Sequence, residues 1–180
     1  MMKIMSTDLE TLFDRLPGHE LTFAAGDAVF HLGDEVKLVH CVRSGLVHLV
    51  RHQEQGATLI LQRAAAGSIL AEASVYSPQH HCDARAEMAA TTWAVPRDVV
   101  RRRLGEDGRF SAAWSRHLAF EVQRARTQSE ILALKRVASR LDAWIAWNGA
   151  LPGKGQWARI AEEIGVSPEA LYREIARRRG

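Results

Sequence analysis

Between residues 19 and 96, apolar and polar positions alternate with a period of two. Glycines at 26, 33, 45, 56 and 67 punctuate the alternation. Leu46, His48, Val50 and His52 fall on one side of a strand, with Val47, Leu49 and Arg51 on the other. Thr58-Leu-Ile-Leu-Gln62 answers it across a Gln53-Glu-Gln-Gly56 turn, as a hairpin partner does. Thr91-Thr-Trp-Ala-Val95 adds a β-branched and aromatic run that Pro96 stops. Many short strands with glycine punctuation predict a closed β roll, of the jelly-roll or double-stranded β-helix type.

After Pro96 the period becomes helical. Arg97 to Leu104 reads as a short helix ended by a Gly105-Glu-Asp-Gly108 turn. A long helix is predicted from about Phe110 to Leu134, a stretch without Pro or Gly. Its seam is Trp114, Leu118, Val122, Ala125, Ser129 and Leu132, close to a coiled-coil repeat. Such a helix reaches about 37 Å and overshoots a small roll. Its seam therefore lies either on the roll or against a second copy, and the small Ala125 and Ser129 permit close approach. Beyond Leu134 the apolar face moves to Val137, Leu141, Trp144 and Ile145, which marks a hinge near Lys135-Arg136. This second helix ends at Asn148-Gly149, and Leu151-Pro-Gly-Lys-Gly155 connects to two short helices, Trp157–Ile164 and Pro168–Arg178.

Composition narrows the class. The chain has 180 residues, 47% hydrophobic and 25% charged, which are globular proportions. No apolar run approaches the roughly 18–20 residues that span a bilayer, so no membrane is expected. Met1 to Glu10 lacks the apolar stretch of a signal peptide. Two cysteines, Cys41 and Cys82, make neither a disulfide framework nor a four-cysteine iron–sulfur site. A cytoplasmic protein with reduced thiols is expected. All eight histidines lie in the first 117 positions, while Arg116 onward carries 12 basic and 7 acidic residues. A basic rear alone points only weakly to nucleic acid.

The terminal pair of helices points there more firmly. Ala161 permits close packing, Gly165 provides a turn, and Ile160, Ile164, Val166, Leu171 and Ile175 fall where a helix-turn-helix buries its core. Ser167 caps the second helix and Pro168 occupies its first turn. The exposed face is expected to carry Glu169, Tyr172, Arg173 and Arg177. Arginine suits a guanine edge or phosphate, and glutamate accepts from cytosine N4. Arg178 and Arg179, at the fraying end, are expected on phosphate. A plain hairpin with a solvated face is the competing reading; turn glycine, cap serine and basic second helix together outweigh it.

In this order, the elements resemble the cyclic-AMP receptor protein/Fnr superfamily of bacterial transcription regulators. The carriers are Phe23-Ala-Ala-Gly26-Asp, His31-Leu-Gly33-Asp, Val42-Arg-Ser-Gly45-Leu-Val, Gly56, Gly67, Leu70-Ala-Glu72, the long helix and Val137-Ala-Ser-Arg-Leu141. The resemblance implies an α+β chain in three parts: an N-terminal helix and β-roll sensor domain (1–105), a dimerisation helix (106–134) and a helix-turn-helix DNA-binding domain (135–180). It implies a homodimer on a palindromic operator, with RNA polymerase as a further partner. By position, Glu169 and Arg173 match the family's base-reading residues, while Pro168 stands where many members have arginine. Members usually continue into a β-hairpin wing. This sequence runs to Arg177-Arg-Arg-Gly180 without one, so affinity is expected to lean on Lys154, Arg159 and the terminal arginines.

The effector pocket departs from the family. Cyclic-nucleotide binders have Gly-Glu and, about ten residues on, Arg-Ser/Thr-Ala. Here Glu72 remains, but Ala71 replaces the glycine and Cys82-Asp83-Ala84 stands for the arginine motif. A carboxylate beside the phosphate position repels an anion. The adenine-contacting Thr-Ser pair aligns with Ala125-Arg126. An effector other than cyclic AMP is expected, in a pocket of Glu72, Cys82, Asp83 and Arg126. His80, His81 and Cys82 are candidate ligands for a metal or haem iron, with a polar loop and a buried thiol as the alternative. His48 and His52, about 13 Å apart on one strand face, are expected at the surface. The other function class is a cupin-like metal-dependent enzyme or metal-binding protein. It lacks the required H-x-H, and Glu54 would fall in a turn; G-x-S-x-G, P-loop and H-E-x-x-H are absent too.

Overall fold

The computed structural model describes residues 3–52, 58–70 and 72–179. The Gln53–Gly56 turn, Glu54 and Ala71 thus lie outside the described residues. The chain divides into two compact units, Met1–Leu118 and Ala119–Gly180. The boundary falls inside the long helix, whereas the sequence reading placed its divisions at 105/106 and 134/135.

The front unit opens with helix α1 (Lys3–Asp14). Then come β1 (His19–Phe23), β2 (Ala28–Phe30), β3 (Leu38–His52), β4 (Thr58–Ala65), β5 (Ile69–Leu70) and β6 (Asp83–Pro96). A 3-10 turn at Glu72–Tyr76 separates β5 from β6, and α2 (Arg97–Glu106) follows the sheet. Strands run antiparallel in the order β1-β6-β3-β4, with β2 on β6 and β5 on β3. This is the α+β roll that the glycine-bounded strands predict.

The strands are longer than expected. β3 and β6 run 15 and 14 residues, because register shifts between Val42 and Val47 bend the pair instead of ending it. Gly45 sits at the bend with φ +81°, and a Cβ there would collide with the Ala89 carbonyl. Two matching turns feed the roll: Asp27 accepts from the Ala24 N–H at 2.7 Å, and Asp34 accepts from the His31 N–H at 2.8 Å.

Helix α3 (Gly108–Ala133) starts in the front unit. Asp107 caps it, its Oδ1 accepting from the N–H groups of Arg109 (2.9 Å) and Phe110 (3.1 Å). Phe110 and Trp114 join Leu9 and Phe13 of α1 in one core with Cys41 and Ile69.

The rear unit holds the end of α3, then α4 (Val137–Asn148), a 3-10 turn (Lys154–Gln156), α5 (Trp157–Glu163) and α6 (Pro168–Arg179). Leu141, Ile160, Ile164 and Leu171 are fully buried, worth about 1.5–3 kcal/mol each. Trp144 and Trp157 enter the same core. Their indole N–H groups donate to Glu163 Oε2 (2.7 Å) and Pro152 O (2.8 Å), which removes the penalty of burying them. Among the described residues no helix is long and apolar enough to cross a membrane.

Candidate functional site

Helices α5 and α6 meet across a turn at Gly165, φ +64°, where a Cβ would lie 2.6 Å from Leu132 Cδ2. Ser167 Oγ accepts from the Ala170 N–H at 3.2 Å and so caps α6. Glu169 is exposed, and its carboxyl is held below the usual range by its own backbone N–H and by Ser167. Arg173 stands exposed one helical turn on, and no bond or ion pair ties it down among the described residues. One face of α6 therefore presents an anion and a free guanidinium side by side.

The other cations on this surface divide. Lys154 is exposed, and Arg159 bonds Glu163 at 3.0 Å. Arg177 is not a free reader: it bonds Glu174 at 2.8 and 3.0 Å. Tyr172, expected on the exposed face, packs its ring against Trp157 at 5.6 Å, because the helix turns that position toward the apolar core. Arg178 and Arg179 do not fray. Arg178 reaches Glu174 and Asp142 at 2.7 Å each and Ala138 O at 3.0 Å, while Arg179 lies 5.0 Å from the Trp157 ring centre. An acid one turn back and another on α4 turn these arginines into a clasp, which the reading of them as phosphate contacts overlooked.

The seam of α3 also divides. Trp114 is 2% exposed within the front unit's own core, and Leu118 packs against that core. Trp114 thus has no surface left for a second copy, and its place in a dimer seam is corrected. Val122, Ala125, Ser129 and Leu132 are exposed at steps of three, four and three along the helix. Ser129 Oγ donates to Ala125 O at 3.0 Å, which hides its own polarity.

Inside the roll, Val42, Val47, Leu49, Ala84 and Ala86 are buried around Cys82. Cys82 is 1% exposed, and burial raises its thiol pKa to about 11. It behaves as a small apolar side chain. His80 stacks on Phe30, centroids 3.6 Å apart, and burial lowers its pKa. His81 Nδ1 instead meets Ser74 Oγ at 3.0 Å. The three candidate metal ligands have separate partners: they lie in the bend ahead of β6, and of the three only Cys82 joins the apolar core. No metal-holding group of three or more His, Cys, Asp or Glu exists among the described residues, so the ligand set and the cupin-like reading lose their geometry.

Asp83 Oδ1 accepts from the Leu32 N–H at 3.1 Å and lies 3.3 Å from His31 Nδ1. Glu72 opens the 3-10 turn, and Arg126 is exposed on the rear part of α3. His48, expected at the surface, is 7% exposed, with Nδ1 3.5 Å from Glu87 Oε2. It floors an outer groove of about 560 Å³ with Gly26, Val50, Ile60 and Arg85. His52 is exposed.

A model of the family described as the cyclic nucleotide-binding domain matches residues 20–107. The matched stretch lies within the front unit. No curated protein matches the chain by sequence. Solved structures extend the likeness, as one of fold, over most of the chain. FixK2 from Bradyrhizobium japonicum superposes with a TM-score of 0.68 at 18% identity, over 90% of this chain and 84% of that one. The c-di-GMP-responsive global regulator CLP of Xanthomonas campestris gives 0.68 at 17%, over 97% and 91%. The catabolite activator protein of Thermus thermophilus gives 0.57 at 18%, over 98% and 83%.

Two features of this chain escaped the sequence reading. Within the stretch that matches the cyclic nucleotide-binding model, buried His40 shares a 3.1 Å hydrogen bond with Thr92 Oγ1. Burial, with His80 and His19 nearby, lowers its pKa to about 4. In the rear unit, Arg140 bonds four backbone carbonyls. His40 has no local signal, since its partner lies 52 residues away. Arg140 was visible only as one letter of Val137-Ala-Ser-Arg-Leu141.

Proposed function

We propose that this chain is a DNA-binding transcription regulator of the Crp/Fnr type. It works as a homodimer joined along Val122, Ala125, Ser129 and Leu132, and it answers an effector other than cyclic AMP. The observation that carries the reading is the face of α6: Glu169 and Arg173 exposed together on a capped helix whose other cations are engaged. Arg173 is placed for a guanine edge and Glu169 for a cytosine amine. Lys154 and the free donors of Arg159 serve phosphate. Two such helices related by a two-fold axis read a palindrome in successive major grooves.

The effector reading rests on the roll. A phosphate needs a cation, and the position that the resemblance assigns to it holds Cys82 in an apolar interior. Room for a small molecule exists instead in the outer groove floored by His48. The protein acts in the cytoplasm, with RNA polymerase as its further partner, and performs no catalysis.

The test is selection from a random duplex pool by the full chain, with light scattering for its mass. Enrichment of a palindrome by a dimer is expected; a monomer that enriches no sequence refutes the proposal. Calorimetry with cyclic AMP should give no heat at micromolar concentrations.

A further inference from the structure

Helix α3 and helix α5 both end in carbonyls that their own helices leave without partners. Such ends also carry the negative pole of the helix dipole. Arg140, in the first turn of α4, answers both. Its Nε donates to Leu134 O at 2.7 Å and its Nη2 to Leu132 O at 3.0 Å. Its Nη1 donates to Ile164 O at 2.9 Å and Gly165 O at 2.8 Å. One planar fork thus serves acceptors from the hinge and from the helix-turn-helix turn. Five N–H groups in a fixed plane can do this; the three donors of a lysine ammonium, held at one point, cannot.

The surroundings fit the same purpose. Gln128 Nε2 donates to Glu163 O, a second bond from α3 to the end of α5. A Cβ at Gly165 would sit 3.2 Å from Arg140 Nη1, so the missing side chain leaves space for the guanidinium. Ile131 enters the apolar core of the rear unit, and Leu132 reaches the Gly165 turn. Apolar contacts of this kind leave the angle free, because dispersion is not directional; hydrogen bonds to carbonyls set it.

We propose that Arg140 is a positioning residue that locks the α5–α6 pair to the rear part of α3. It thereby sets the distance between the two recognition helices of the dimer. The inference rests on the DNA-reading dimer proposed above. It assigns no base contact to Arg140: the head keeps its own core through Leu141, Trp144, Ile160 and Leu171. What the lock supplies is spacing.

The experiment uses the full chain and the palindrome that the parent protein selects, with one or two base pairs added or removed between half-sites. Each added pair rotates one half-site by about a tenth of a turn, so the parent should lose about tenfold or more at displaced spacings. Arg140→Met and Arg140→Lys should bind all spacings within about threefold of one another, as expected when geometry no longer selects. A spacing profile that keeps the parent's shape in both variants overturns the lock.

A second measurement guards against a variant that folds poorly. Spin labels on Gln123→Cys and Ala176→Cys, both exposed, report the α3–α6 distance, and buried Cys41 and Cys82 stay unlabelled. With labelled chains diluted into unlabelled ones, the distribution should be narrow in the parent and clearly broader in Arg140→Lys. Equal widths refute the lock even if the DNA data are lost. If the parent selects no palindrome, the DNA reading fails on its own, and the distance measurement still decides whether Arg140 fixes the head.

Discussion

The roll interior and the head formed by α5 and α6 treat clustered chemistry in opposite ways. In the roll, His80, His81 and Cys82 are consecutive, yet one stacks on Phe30, one meets Ser74 and one joins the apolar core. In the head, Glu169 and Arg173 lie four positions apart and share a helical face. The bend ahead of β6 sends consecutive side chains to different partners, and helix reunites residues a turn apart. A run of chemically suggestive letters is therefore weak evidence where the chain bends, and a spaced pair is strong evidence on helix. The two regions also differ in how they are held. The front unit buries neutral histidine and thiol, whereas the buried side chains of the rear unit are aliphatic or tryptophan. Both units tie their surfaces with arginine to carboxylate and carbonyl.

The sharpest way to break this contrast is to place a charge in the roll. Cys82→Arg restores the cation of the family motif but puts it among Val47, Leu49 and Ala84. It should cost about 3–5 kcal/mol in chemical denaturation, the penalty of an uncompensated buried charge. A loss under 1 kcal/mol, together with new cyclic-AMP binding, would show that the interior opens as a pocket.

Acid should separate the two units next. His40 is neutral in the fold down to about pH 4, but the unfolded chain takes up that proton below about 6.5. Its contribution is complete above pH 6.5 and drains as pH falls toward 4, about 3 kcal/mol in all. His80, shifted the same way, adds to the loss. Glu174 behaves differently: hydrogen bonds from Arg177 and Arg178 hold its pKa at about 2, so its contribution persists until pH drops below about 4.5. Denaturation followed by Trp93 and Trp114 should weaken between pH 6.5 and 4, and His40→Gln should flatten that dependence. An unchanged slope in His40→Gln would remove His40 as the cause.

The smallest effect belongs to the clasp. Arg178→Ala removes bonds to Asp142, Glu174 and Ala138 O from a partly exposed side chain, a loss of about 1 kcal/mol. The salt dependence of DNA binding should stay as in the parent. A slope lower by about one unit would instead put Arg178 on phosphate.

Much of this architecture was legible in the residues. The register shift after Leu134 coincides with the break between α3 and α4, and the cap and turn of α6 were readable from Gly165 and Ser167. The bent strands were not, because a bulge changes pairing without interrupting β-type composition. Trp114 defeated the seam for a related reason. The same heptad spacing serves a core within one chain and a contact between two, and only its burial beside Phe13 separates them. Arg178 and Arg140 were illegible because their partners, 36 residues away in Asp142 and 25 in Gly165, come from other turns of the fold.

The central claim is that α6 reads bases, and a salt titration of Arg173→Ala on the selected palindrome and on a random duplex tests it most directly. The account predicts a loss of about 1–3 kcal/mol on the palindrome, relaxed preference at one base pair per half-site and little change on random DNA. Equal weakening on both duplexes would contradict it, and would leave the terminal helices as a non-specific basic hairpin.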